Sequence, residues 1–246
     1  MKTKRLSAVV LCLILAGGIV CGAMVRRAEA SAYLDKDTIG RAYVNAIDAM
    51  TARGVLNGFP DGNFQPLSGL TRGQGAKIVA YLILGAEAAA RLRCDAAPYS
   101  DVPADLWSAP AVAWCTGKGI IHGMGDGSFK PEDPLTGQQF AKMLLCAFKL
   151  GDPARYVGDG WEIRVTQDAE SLGLLEGDAG MCTHRPILRQ QAALMAYNAL
   201  KIAEAMALPP SPETTEDPAP EDDPPPDEDP TPEDDDDNET SMMTDF

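Results

Sequence analysis

Residues 54–74 read GVLNGFPDGNFQPLSGLTRGQ: a glycine stop, an apolar pair, a tight turn and a new helix start. Residues 119–139 repeat that order as GIIHGMGDGSFKPEDPLTGQQ, and residues 173–191 carry a worn copy, GLLEGDAGMCTHRPILRQQ. Gly54, Gly119 and Gly173 correspond to one another, as do Thr71, Thr136 and Leu188. Self-similarity at a spacing of roughly 50 to 65 residues marks an internal repeat, so three copies of one unit are expected.

The unit reads as helix, ordered loop, helix. Ile39, Tyr43, Ala46, Ile47 and Met50 recur at helical spacing, and Gly54 supplies the stop. In Pro60-Asp61-Gly62 the proline fixes one dihedral, the aspartate bonds its own backbone and the glycine accepts a positive φ. Thr71 and Gln74 then form a T-x-x-Q capping box for a second helix with Ile78, Val79, Leu82 and Ile83 on its apolar stripe. In the second copy Trp107 opens a helix carrying Ala111, Val112, Trp114 and Cys115, with Pro110 in its first turn. Phe129 there matches Phe64, and Thr136 with Gln139 rebuilds the box ahead of Phe140, Met143, Leu144, Ala147 and Phe148. The third loop differs in length and lacks the aromatic residue. Leu188 replaces the capping threonine at a cost of about 1 kcal/mol, while Trp161 stands where Trp107 stands. One helix pair cannot cover its own apolar face, so the three units are expected to share a single core.

Both ends differ from this body. Lys2, Lys4 and Arg5, the apolar run 6–25, and Ala28-Glu29-Ala30 follow the grammar of a secretory signal peptide cleaved after Ala30. The competing reading is an uncleaved anchor, since about 20 apolar residues can span a bilayer. Cys21 follows a bulky valine, which argues against a lipoprotein box. From Pro209 onward there are 16 acidic side chains and no lysine or arginine, so most of the net charge of −15 belongs to the tail. The body between sits at about −3. A proline-rich acidic segment of this kind is expected to stay disordered. No basic face is visible, which argues against nucleic acid as a partner.

With the signal removed, Cys94, Cys115, Cys146 and Cys182 remain, and four cysteines allow three pairings that sequence does not distinguish. Cys115 and Cys146 fall on apolar helix faces, where free thiols behave as small hydrophobes. His122 and His184 are the only histidines and no CxxC spacing occurs, so zinc is not expected. The Asp61-Gly62-Asn63 and Asp126-Gly127-Ser128 strings lack the spacing and closing glutamate of a calcium loop. Nothing calls for a cofactor. No G-x-S-x-G elbow, metal-ligand cluster or Cys and His spacing suggests an enzyme.

The pattern GxxNGxPDGxFxPxxxLTRxQ resembles the S-layer homology repeat, whose loop usually ends in Thr-Arg-Ala-Glu at the start of the second helix. The likeness is strong in the first two copies and weak in the third. It implies an all-α fold: a pseudo-threefold domain of three helix-loop-helix repeats around a central helical bundle. The repeats would span 31–92, 93–152 and 153–208, between a signal peptide at 1–30 and a tail at 209–246. It also implies non-covalent attachment to a secondary cell-wall polysaccharide, often one carrying ketal-linked pyruvate, and hence a secreted, wall-bound protein with no membrane contact once the signal is cleaved.

In that family the motif arginine contacts the ligand, helped by loop glycines and an aromatic residue at the start of the first helix. A carboxylate suits a bidentate guanidinium, and a helix N-terminus adds favourable dipole. Carried over, the ligand-binding set is Arg72, Thr71, Gln74, Trp107, Gly125, Asp126, Arg189 and Trp161. Gly137 replaces the arginine in the second copy and Ala42 the tryptophan in the first, while Gln74, Gln139 and Gln191 replace the motif glutamate. These losses suggest one composite groove in which Arg72 faces Trp107, with the groove of the second copy unclamped. Without the resemblance, Arg72 is a surface arginine set against the helix dipole, and Trp107 and Trp161 are core or lid residues. The alternative function is a self-associating envelope protein. The tail is then a spacer, a weak calcium sink or a dock for a basic partner.

Overall fold

The computed structural model describes residues 32–178 and 180–207. The expected signal peptide and acidic tail lie outside the described residues. Within them the chain forms seven α-helices and no strand: α1 (Val44–Ala52), α2 (Arg72–Leu84), α3 (Ala86–Ala90), α4 (Ala109–Gly117), α5 (Gly137–Ala147), α6 (Trp161–Ser171) and α7 (Arg189–Ala207). The fold class is all-α, as expected. Three helix–loop–helix segments are present, α1 to α2, α4 to α5 and α6 to α7, with the short α3 trailing α2.

Local chemistry fixes the helix ends. Gly54, Gly119 and Gly173 take φ of 66°, 68° and 79°, and the next amide reaches back in each case. Val55 donates to Met50, Ile120 to Cys115 and Leu174 to Ala169, which satisfies carbonyls that the helix ends leave open. Complete capping boxes start α2 and α5: Thr71 accepts from the Gln74 amide while Gln74 accepts from Thr71, and Thr136 pairs with Gln139 likewise. At α7 half the box survives, because the Leu188 amide donates to Gln191 Oε1 at 3.1 Å but leucine has no acceptor to return. Thr71→Ala is therefore expected to lower stability by about 1 kcal/mol, read from the urea midpoint at unchanged m-value.

Two expectations need correction. The first helix starts at Val44, not near Ile39, because Gly40 is extended (φ −63°, ψ 137°) and two 3₁₀ turns, Lys36–Thr38 and Arg41–Tyr43, precede it. Trp107 does not open α4; it sits in the turn before Ala109, with Pro110 in the first turn of the helix.

The loops are ordered from within. Asp35 accepts from the amides of Phe64 and Gln65, and Asp101 from those of Phe129 and Lys130. These bonds hold Gln65 and Lys130 at φ of 57° and 58°, a region unusual for a side-chain-bearing residue. They also bring Phe64 against Tyr33 at 5.2 Å and Phe129 against Tyr99 at 5.4 Å between ring centroids. Burial acts to raise the pKa of Asp101, but the two amides outweigh it and leave it below the usual carboxylate range.

The segments are joined by a closed ring of backbone bonds. Leu135 donates to Leu70 at 2.8 Å, Leu70 to Ile187 at 3.1 Å, and Ile187 to Leu135 at 2.8 Å. All three side chains are buried. The second helices anchor to neighbouring loops in the same sense: Arg72 and Gly73 donate to Asp133 and Pro131, Gly137 and Gln138 to Arg185 and Thr183, and Arg189 and Gln190 to Ser68 and Pro66.

Helix packing follows from this exchange. α4 lies on α2, α6 on α5, and α1 on α7, so each first helix packs against the second helix of a different segment. A single buried cluster runs through all of them. The α1–α7 contact brings the two ends of the described chain together, and Tyr43 adds to it by donating to Asp178 Oδ2 at 2.6 Å. Burial first, and then the Asp178 carboxylate, push the Tyr43 phenol up to about 12. A raised phenol contributes stability that is complete below the unfolded value near 10 and is lost as pH rises through 12. Tyr43→Phe is expected to flatten the decline of stability with pH in that window.

The four cysteines in the described residues are free thiols. Cys115 is buried, and burial pushes its thiol up to about 12.

Candidate functional site

Among the described residues, two grooves open between segments. The first, of about 370 Å³, is walled by the loop residues Val55, Leu56, Asn57, Gly58 and Phe59. α2 supplies Gln74, Lys77, Ile78 and Tyr81, while Trp107 and Arg189 come from elsewhere in the chain. The second, of about 290 Å³, is walled by Ile120, Ile121, His122, Gly123 and Met124, with Gln139, Lys142 and Met143 of α5, Trp161 and Arg72.

The arginines are built in rather than draped on the surface. Arg72, the first residue of α2, is buried; its Nε donates to Phe129 O at 2.9 Å and its Nη2 to His122 O at 3.2 Å. Its guanidinium lies 4.5 Å from the Phe129 ring centroid. Arg189, the first residue of α7, is buried in the corresponding place. It donates from Nη2 to Asn57 O at 2.6 Å and lies 4.9 Å and 5.0 Å from the Phe64 and Phe59 rings. Its Nε is buried without a partner, whereas that of Arg72 is satisfied. Burial lowers the pKa of both, and both remain cations, since arginine does not lose its proton in proteins.

A lysine and a tryptophan complete each groove. Lys77 is exposed between two rings, 5.5 Å from Tyr81 and 5.7 Å from Trp107. Lys142 donates to Tyr156 O at 2.6 Å and sits 4.7 Å over the Trp161 ring, and burial lowers its pKa. Each groove thus offers two cations, an amide side chain and a tryptophan ring. That set suits a sugar bearing a carboxylate or another anion.

The expected partnership of Arg72 with Trp107 is wrong. α4 packs on α2, which delivers Trp107 to Lys77, and α6 packs on α5, which delivers Trp161 to Lys142. Arg72 reaches forward 57 residues to the second loop, and Arg189 reaches back 132 residues to the first. Gly137 therefore does not leave the second loop unclamped, because Arg72 serves it. Of the eight candidate residues, Arg189, Gln74 and Trp107 share one groove, and Arg72 and Trp161 the other. Thr71 caps α2 and lines neither groove. Gly125, at φ 91°, and Asp126 also lie outside the linings, with Asp126 Oδ1 accepting from the Ser128 amide and hydroxyl at 2.9 Å and 2.6 Å.

Lys77, Lys142 and Tyr81 were missed by sequence reasoning. A signal was present: each lysine follows its capping glutamine by three residues and so shares its helix face.

A family model described as the S-layer homology domain matches residues 32–76 and 98–141. The chain is similar to cell surface glycoprotein 1 of Acetivibrio thermocellus, 40% identical over 93 residues, covering 38% of this chain and 4% of that protein. It is 27% identical over 200 residues to the surface-layer 125 kDa protein of Lysinibacillus sphaericus, covering 76% of this chain and 16% of that one. It is 29% identical over 133 residues to an uncharacterized cell wall amidase of Bacillus anthracis, covering 50% of this chain and 24% of the amidase. In each case the chain spans less than a quarter of the relative's own length. Residues 32–76 and 98–141 are thus the two stretches in which the chain is similar to the S-layer homology domain.

Proposed function

We propose that this chain attaches non-covalently to the bacterial cell envelope by holding an anionic secondary cell-wall polysaccharide in its two grooves. The observation that carries the reading is the same triad in both: a buried arginine, a lysine and a tryptophan around one loop. The carboxylate of a pyruvate ketal suits this chemistry, since a guanidinium held by carbonyls keeps further N–H donors for a carboxylate and a tryptophan face packs on a sugar ring. The S-layer homology match and the names of the surface relatives support a cell-surface or cell-wall location. The amidase's name describes a protein of which this chain covers 24%, and the grooves are read as a binding module.

The segment 153–208 is read as a third repeat. The closed backbone ring through Leu70, Leu135 and Ile187 supports that reading, and with it a pseudo-threefold arrangement. The division at 31–92, 93–152 and 153–208 stays part of the proposal, as do the signal peptide at 1–30 and a partner for the tail.

The test is co-sedimentation of the chain with purified cell walls before and after mild acid extraction of the secondary polymer. Binding should be lost on extraction; binding that persists contradicts polymer recognition. Self-association without wall binding would favour the structural alternative.

A further inference from the structure

The junction between the third loop and the start of the chain departs from the two grooves at the arginine, lysine and tryptophan positions. Gly137 stands where Arg72 and Arg189 stand, Leu194 where Lys77 and Lys142 stand, and Ala42 where Trp107 and Trp161 stand. Space is missing as well as charge. A Cβ on Gly137 would lie 2.9 Å from Thr183 Cα and 3.0 Å from Thr183 O, so an arginine there would displace the third loop.

What the junction holds instead is a carboxylate of the chain itself. Asp178 occupies the loop position of Phe59 and Met124. It accepts from the Tyr43 hydroxyl at 2.6 Å and from Gln191 Nε2 at 2.9 Å. Gln191 corresponds to Gln74 and Gln139, which line the open grooves. Beside it, the Gly40 amide donates to Gln190 Oε1 at 3.0 Å. All three glutamines accept from a helix-cap amide through Oε1, but only at Gln191 does the side-chain Nε2 also donate to an internal carboxylate.

We propose that Asp178 fills the third junction as an intramolecular anion, so that the chain takes two sugar carboxylates rather than three and uses the third junction to lock its first segment to α7. The count of two rests on the proposed reading of the grooves; the lock does not. With its glutamine occupied and its arginine, lysine and tryptophan absent, this junction has lost the parts that would hold an external anion. It keeps those that close the chain on itself.

The full chain is titrated with a methyl glycoside carrying a pyruvate ketal, by calorimetry and by NMR of the indole N–H signals. Two equivalents should bind, with the Trp107 and Trp161 signals moving and that of Trp114 still. A count other than two overturns the proposal. So does an equivalent that stays bound in the Arg72→Ala, Arg189→Ala double variant with the Trp107 and Trp161 signals still. If the wild-type chain binds nothing, the groove reading and the count fall together, and the lock is judged by thermal unfolding. Tyr43→Phe and Asp178→Ala should each lower Tm, and the double variant should melt no lower than Asp178→Ala alone. Additive losses overturn the lock.

Discussion

Alanine at both Arg72 and Arg189 is expected to abolish retention of the chain on cell walls, and each single change to weaken it by about ten- to a hundredfold. The range follows from the roughly 1.5–3 kcal/mol typical of hydrogen bonds to a charged group, at 1.4 kcal/mol per factor of ten. Lysine should restore little at either site, because a point charge reproduces neither the fork nor its stacking on Phe129 or on Phe59 and Phe64. The two sites separate in a second measurement. Arg72 satisfies two loop carbonyls and keeps its Nε bonded, while Arg189 carries a buried Nε without an acceptor. Arg72→Ala should therefore cost more stability in urea than Arg189→Ala, although both lose wall binding. Equal retention by the double variant and the wild type would remove the guanidiniums from the function.

Phe129→Ala is expected to have the largest effect on stability, about 3–5 kcal/mol of the roughly 5–15 kcal/mol available to a domain. Its side chain is fully buried. It stacks on Tyr99 and lies under the Arg72 guanidinium, so its loss opens a cavity and frees the cation above it. Calorimetric unfolding should show a large drop in Tm. The remaining folded protein should lose the second groove while the first, built on Phe64 and Phe59, persists. A loss under about 1 kcal/mol would show that the loop does not depend on this ring.

Both results turn on residues that the sequence exposes to different degrees. The repeat, the capping boxes at Thr71 and Thr136, and the glycine stops at Gly54, Gly119 and Gly173 were readable because each is a bond between near neighbours in the chain. Spacing alone carries that information. The lysines of the grooves are legible in the same way, since Lys77 and Lys142 keep one register with Gln74 and Gln139. Apolar spacing through Ile39 and Tyr43 predicts an earlier helix start than Val44, because spacing does not register the extended backbone at Gly40.

The assignment of arginine to loop was of another kind. Within one copy of the motif, Thr71, Arg72 and Gln74 look like a single site, yet the three side chains go different ways. Thr71 caps its own helix, Gln74 faces the first groove, and Arg72 enters the second. No local spacing distinguishes these outcomes. They depend on α4 packing on α2, α6 on α5 and α1 on α7, and on the backbone ring through Leu70, Leu135 and Ile187.

The sequence by itself determined the local units, since caps, turns and apolar stripes are settled over a few residues. Only the tertiary structure decided that arginine, loop and tryptophan of one groove come from three different segments, and that Asp178 occupies the third junction. The reason is physical: those contacts join residues tens to more than a hundred positions apart, and burial of the shared core, not spacing along the chain, selects them.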